Sequence, residues 1–200
     1  MIILICGFTA SGKSYLSESL AKKLNYKFVH TSHILKLIHT NRDIDPNKTK
    51  MNKGWYEFSN LDSVRHKDLN LDYRLDNYLK KLLKEKDNLV LDSWTLPYLS
   101  NNKKKIIKIW LHASFKVRTL RLMKRDKVNL EDARKIIRKK DGFNKRHFKK
   151  LYGFVLGKDL DVFDYIINVE KNSIKEITSN ICELIKPRLK WSFFKINFYF

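Results

Sequence analysis

Short apolar runs alternate along the chain with longer stretches in which apolar residues return every three or four positions, the pattern of a parallel sheet wrapped by helices. Residues 2–6 are wholly apolar, which predicts a first strand buried on both faces. In residues 13–24, Leu16, Leu20, Ala21 and Leu24 share one stripe and predict a helix. A second strand is expected at 26–30 and a second helix at 32–39. Residues 41–53 are polar and carry a proline, as expected of a mobile loop before a short aromatic helix around Trp55 and Phe58. A long helix is expected over 70–86. The second half repeats the rhythm, with strands at 89–92, 105–111 and 163–169 and helices at 114–125 and 173–185. The last helix opens on Ser173 with Glu176 three residues on, a capping box. Residues 129–152 have helical spacing but are dominated by Lys and Arg, with few apolar positions to set against a core. Such a segment should project outward or close over something negative, as a lid.

At 200 residues and 43% hydrophobic the chain can bury a core of its own, which excludes collagenous, disulfide-stapled and wholly disordered classes. No repeat or linker divides it, so a single domain is expected at 1–186, with the lid at about 126–157 and an aromatic extension at 187–200. That extension, ending WSFFKINFYF, is too short to span a bilayer; a docked edge strand or a frayed tail is expected, with a dimer contact and an interfacial anchor as alternatives. Cys6 and Cys182 are too few and too far apart for a zinc cluster or a disulfide framework, and a reducing, cytoplasmic setting is expected. Neither a signal peptide nor a transmembrane helix is supported by the apolar runs present. Charge changes the picture more: 42 Lys and Arg against 21 Asp and Glu give +21, a field that draws phosphates, nucleic acid or acidic membranes. Ten of the basic residues are Arg, so the excess is mostly Lys, which compositional drift explains as well as a nucleic-acid role does.

The sharpest chemical signal is Gly7-Phe8-Thr9-Ala10-Ser11-Gly12-Lys13-Ser14, which matches G-x-x-x-x-G-K-[ST] at every fixed position and is followed by Tyr15. Glycines let the backbone turn back so that successive N–H groups face one phosphate chain, and the following helix adds its positive end. Lys13 is placed to reach the β- and γ-phosphates of ATP, and the Ser14 hydroxyl to hold Mg²⁺. The context agrees with the mechanism: a buried strand before the loop and an amphipathic helix after it. Asp92 ends an apolar strand, where a carboxylate can orient Mg²⁺ or its bound water. No Asn-Lys-x-Asp pattern follows, which argues against a GTPase, and the length leaves no room for a helicase's second lobe. Arg121, Arg125, Arg138 and Arg146 run through the charged segment and its preceding helix. Arginine forks suit the charge that gathers on a transferring phosphoryl group. Arg121 and Arg125, four apart, share one helix face.

From residue 1 to about 185 the sequence resembles the cytidylate kinase-like family, especially its archaeal type, within the nucleoside monophosphate kinases. The resemblance rests on GFTASGKS, AKKLNYKFVHTSHILKLI, LDYRLD and KIWLHASFKVRTLRLMKRD, and most specifically on KRHFKKLYGFVLGKDLDVFDYIINV. It implies an α/β P-loop NTPase three-layer fold with a five-stranded parallel sheet, a helical lid and monophosphate-binding insertions. It implies ATP and Mg²⁺ as cofactors, and transfer of the γ-phosphoryl group to CMP or dCMP; a monomer is expected. By the same resemblance Arg121 borders the adenine, and Arg125, Arg138 and Arg146 close on the phosphates. Asp92 is the strand-end acid, and Lys36, Asp72 and Trp94 fall on the acceptor side. Lys36 stands where the family usually has an arginine, keeping the charge and losing the fork. Ser93-Trp94 replaces the Gly-Arg that often follows the acid, so the acceptor base is left open; Trp94 and Trp55 form either a stacking wall or part of the core. Two alternatives stay beside the cytidylate reading: a P-loop kinase with another small acceptor, such as AMP, UMP or a non-nucleotide, and a nucleic-acid-associated ATPase.

Overall fold

The computed structural model describes residues 1–46, 61–68, 70–101 and 105–194. The helix expected around Trp55 and Phe58, and the end of the aromatic extension, lie outside them. In chain order the elements are β1 (Ile2–Gly7), α1 (Lys13–Leu24), β2 (Lys27–His30), α2 (Thr31–His39), α3 (Leu61–Lys67), α4 (Asn70–Glu85), β3 (Leu89–Asp92), α5 (Leu96–Leu99), β4 (Ile106–His112), α6 (Phe115–Asp126), α7 (Leu130–Tyr152), β5 (Tyr165–Asn168) and α8 (Ile174–Phe194). The five strands form one parallel sheet in the order β2-β3-β1-β4-β5. This is the α/β class expected from the alternation of runs.

The central strand explains its own apolarity. Side chains alternate across a strand, so Ile3 and Ile5 join Leu16 and Leu20 of α1 and Ile177, Ile181 and Ile185 of α8 on one face. Ile2 and Leu4 join Ile34 and Ile38 of α2 and Leu71, Leu75 and Leu79 of α4 on the other. A third, aromatic cluster of Trp110, Phe148 and Phe154 lies beside Cys6. Among the described residues no helix is long and apolar enough to cross a membrane.

Two differences from expectation have physical causes. The charged segment does not project: α7 buries Ala133, Ile137, Asp141, Asn144 and Phe148 along one stripe. Ala133 and Ile137 pack with Leu122 of α6, and ion pairs compensate the polar members of the stripe. The extension is no strand through residue 194, because α8 continues past Pro187 to Phe194. Pro187 brings no N–H to the carbonyl of Glu183. Arg188 anchors the next turn instead, pairing with Asp164 Oδ1 at 2.9 Å and donating to the Ile106 carbonyl at 2.9 Å. The capping box forms as expected, with Ser173 N donating to Glu176 Oε2 at 2.7 Å and Glu176 N to Ser173 Oγ at 3.3 Å.

The loop after α7 returns to the strand–helix turn at Gly7–Gly12. Phe8 sits edge-on to Trp110, ring centroids 5.2 Å apart, and fills the space where Gly157 has no side chain. Gly153 and Gly157 share φ +80, yet a Cβ at Gly157 would lie 2.1 Å from Phe8 Cζ while one at Gly153 meets nothing within 4 Å. Gly153→Ala is therefore expected to cost about 1 kcal/mol, and Gly157→Ala at least about 2 kcal/mol more from overpacking. Urea unfolding checks this; equal losses at the two positions would contradict the Phe8 seat.

Candidate active site

The loop between β1 and α1 opens the site. Ala10 has φ +60 and Gly12, the residue capping α1, φ +96. Left-handed residues of this kind turn successive backbone N–H groups into an anion-binding concavity. An alanine there costs roughly 1 kcal/mol or more, strain of the sort found where function fixes the backbone. The hydroxyls of Thr9 and Ser11 in the loop are buried and make no hydrogen bond among the described residues.

Asp92 closes the site from the end of β3. It is 3% exposed and accepts from the Ser14 hydroxyl at 2.5 Å, from His30 Nδ1 at 2.8 Å and from Thr31 N at 3.2 Å. Burial alone would raise its carboxyl, but His30, Ser14 and Lys13 outweigh it and hold the group below the usual carboxylate range. Lys13 feels the converse: burial pushes its ammonium down while Asp92 opposes the shift. Among the described residues Lys13 makes no hydrogen bond or ion pair; its ammonium lies 4.6 Å from the centroid of the Trp94 ring. Ser14 Oγ and Asp92 are hard oxygen donors in contact, and no group of three His, Cys, Asp or Glu forms elsewhere among the described residues. Two protein oxygens beside a phosphate loop fit Mg²⁺, which is usually held by one or two side chains plus substrate phosphates and water.

A cavity of about 510 Å³ runs from this loop between α6 and the start of α8, lined by Gly12, Tyr15, Arg121, Arg125, Val169 and Asn172 among others. Arg121 donates to the Ser11 carbonyl at 2.9 Å and to the Val169 carbonyl, joining the loop to the end of β5. Arg125 lines the same cavity while paired with Asp126, Nε to Oδ1 at 2.7 Å. Of the nominated residues, then, Ala10, Ser11, Gly12, Lys13, Ser14, Tyr15, Arg121 and Arg125 share one cavity, with Asp92 behind Ser14. Arg138 and Arg146 are exposed on α7, Arg138 lying 5.3 Å from the Phe115 ring centroid. Lys36 is half-buried on α2. Trp94 stands against the loop, its indole Nε1 donating to the Gly7 carbonyl at 2.9 Å.

Sequence reasoning missed the ties that hold α7 over the loop. Asp141 accepts from Thr9 N at 3.0 Å and pairs with Arg118 Nη1 at 2.6 Å, while Arg118 also donates to the Thr9 carbonyl at 3.0 Å. Asp72 is buried with both oxygens taken, one set of bonds from Arg65 Nε and Nη2, another from His147 Nε2 at 2.7 Å. Burial works to raise Asp72, and Arg65 with His147 overcomes it and lowers the carboxyl. Asp76 accepts from Thr95 Oγ1 and from the Tyr152 hydroxyl, both at 2.5 Å. The available signal was the i, i+4 run Ala133, Ile137, Asp141, which puts an acid on the inner stripe of a basic helix.

The comparisons with known proteins agree with this geometry. The chain belongs to the cytidylate kinase-like family, whose pattern matches residues 2–171. Cytidylate kinase of Saccharolobus islandicus is 30% identical over 181 residues, covering 90% of this chain and 88% of that protein. Cytidylate kinase of Sulfurisphaera tokodaii is 26% identical over 185 residues, covering 90% and 93%. Among solved structures, an uncharacterised protein from Eubacterium ventriosum superposes with a TM-score of 0.69 at 18% identity, covering 94% of this chain and 98% of that one. Shikimate kinase from Bacteroides thetaiotaomicron follows with 0.59 at 16% identity, covering 93% and 98%. These likenesses show the P-loop kinase fold.

One buried acid carries a pH signature. Burial, with a smaller push from Asp72, raises Asp76 to about 6 against the pull of its two hydroxyl donors. The folded chain therefore holds this proton more tightly than the unfolded chain, and the stability it contributes is lost as pH rises from about 4 through 6. A shift from 3.8 to about 6 corresponds to roughly 3 kcal/mol. Asp76→Asn mimics the neutral acid, so its melting temperature relative to wild type is expected to be higher at pH 7 than at pH 4.5. An unchanged difference between the two pH values would contradict the raised carboxyl.

Proposed function

We propose that the protein transfers the γ-phosphoryl group of ATP to CMP or dCMP, releasing ADP and the diphosphate. The observation that carries it is the contact of Ser14 with Asp92 beside the Lys13 ammonium, at the N-terminus of α1, in a chain 30% identical to cytidylate kinases. In this reading the loop backbone and the positive end of α1 take the donor phosphates, and Lys13 adds a full charge. Arg121 lines the wall of the 510 Å³ cavity where the donor base enters. Ser14 and Asp92 hold Mg²⁺, which when bound supplies positive charge to the phosphate oxygens. The acceptor phosphate is itself an ionised nucleophile, so no side chain has to remove a proton and rate comes from alignment and charge. Arg65 and Asp72, locked together, keep α3 and α4 in place on the acceptor side. Lys36 supplies a cation there. With α7 tied across the loop through Asp141, water is kept from the reacting phosphate. Arg138 and Arg146 join the phosphates only if α7 shifts, since both are exposed here. The free thiols Cys6 and Cys182 fit a reducing, cytoplasmic setting.

The test is ADP release from ATP and Mg²⁺ over a panel of CMP, dCMP, UMP and AMP, with and without RNA. Turnover that depends on CMP or dCMP is expected, and Lys13→Ala should lower it at least about a hundredfold with an unchanged melting curve. Inactivity toward every monophosphate, or RNA-stimulated hydrolysis without an acceptor, would overturn the reading.

A further inference from the structure

Trp94 lies two residues past the strand-end acid, and its hydrogen bonds lead to the end of β1, where the donor loop begins. Its indole Nε1 donates to the Gly7 carbonyl at 2.9 Å, and its own carbonyl accepts from Cys6 Sγ at 3.8 Å. Side chain and main chain are thus both fastened to the end of β1. The ring then meets two ammonium groups from different elements: Lys13 Nζ 4.6 Å from its centroid and Lys140 Nζ, from α7, at 5.8 Å. Behind it stands Phe148, centroids 6.4 Å apart.

The placement answers a physical difficulty. Lys13 is half-buried and makes no hydrogen bond or ion pair among the described residues, its ammonium is pushed down by desolvation, and α7 brings a second cation to the same ring. A desolvated ammonium needs a partner. An indole face is the aromatic surface that attracts a cation best, and it does so without the hydrogen bonds a carboxylate would have to give up when phosphates arrive. We propose that Trp94 is a positioning residue for phosphoryl transfer, holding the Lys13 ammonium and the Lys140 ammonium of α7 at one indole ring and yielding them to the nucleotide phosphates. Lys140 is then a cation that α7 contributes at the Trp94 ring, a position that neither Arg138 nor Arg146 occupies in this structure. The inference rests on the kinase reading for its substrate, and on the ring contacts for its residue.

Tryptophan emission and kinetics test it together. ADP with Mg²⁺ should change the emission of the wild-type chain as Lys13 leaves the ring. Trp94→Phe should abolish that change while Trp55, Trp110 and Trp191 still emit. Trp94→Leu, which removes the π face, should lower kcat roughly tenfold to thirtyfold and leave the acceptor KM within about threefold. Trp94→Phe, which keeps a face, should restore most of kcat. Lys140→Met should cost much less in the Trp94→Leu background than in wild type. The inference is overturned if the emission change survives in Trp94→Phe, or if Trp94→Leu spares kcat and raises the acceptor KM instead. Should Trp94→Leu fail to fold, the emission of Trp94→Phe still decides. Calorimetry separates the two levels: a wild-type chain that binds no ATP or ADP defeats the kinase reading, whereas one that binds and keeps its emission change in Trp94→Phe defeats this inference alone.

Discussion

The buried carboxylate of Asp92 is the joint at which three segments of the chain meet. Parallel pairing sets Ile5 beside Asp92 on one side and His30 beside it on the other. The same carboxylate then accepts from Ser14 at the start of α1 and from Thr31 at the start of α2. An ionised carboxylate taken out of water is costly unless its oxygens are all served, and here burial is outweighed by His30, Ser14 and Lys13. Sheet register, loop position and the charge of the site are therefore one arrangement: moving β3 by a residue would leave the acid unpaired and Ser14 without its partner.

A second set of buried charges does for α7 what Asp92 does for the sheet. The Arg118–Asp141 pair fastens α7 to Thr9 of the loop, and Arg65 with His147 fastens it to α3 and α4 through Asp72. Such pairs add little net stability compared with apolar packing, but removing one partner strands the other. They define where α7 sits more than how firmly the fold holds. Through Asp141, α7 is held by a polar contact with the very loop proposed to bind phosphates, which places its packing next to the chemistry of the site.

Strand and helix positions were legible because they follow from burial periodicity. The apolar run 2–6, the stripe of Leu16, Leu20 and Ala21, and the apolar end 89–92 appear within a residue or two of where the pattern places them. The loop was legible because its backbone turns require glycine at fixed spacing. Side-chain partnerships across elements were not. Arg118 is one of many basic residues in the sequence, and only the fold shows that its guanidinium reaches a loop carbonyl 109 residues away. Trp94 appeared as a departure from the family's Gly-Arg, with no sign in one dimension of which side of the site it would face. The inner stripe of α7 was masked by composition, since Asp141 and Asn144 occupy positions where a purely apolar stripe was sought.

The central claim is that Ser14 and Asp92 form the metal-assisted end of a nucleotide phosphate site. Calorimetric titration of the purified chain with ATP, in the presence of Mg²⁺ and after its chelation, tests it most directly when repeated with Ser14→Ala. The account predicts that chelation weakens ATP binding to the wild-type chain and that Ser14→Ala removes most of this dependence. ATP affinity indifferent to Mg²⁺ and to Ser14→Ala would contradict it.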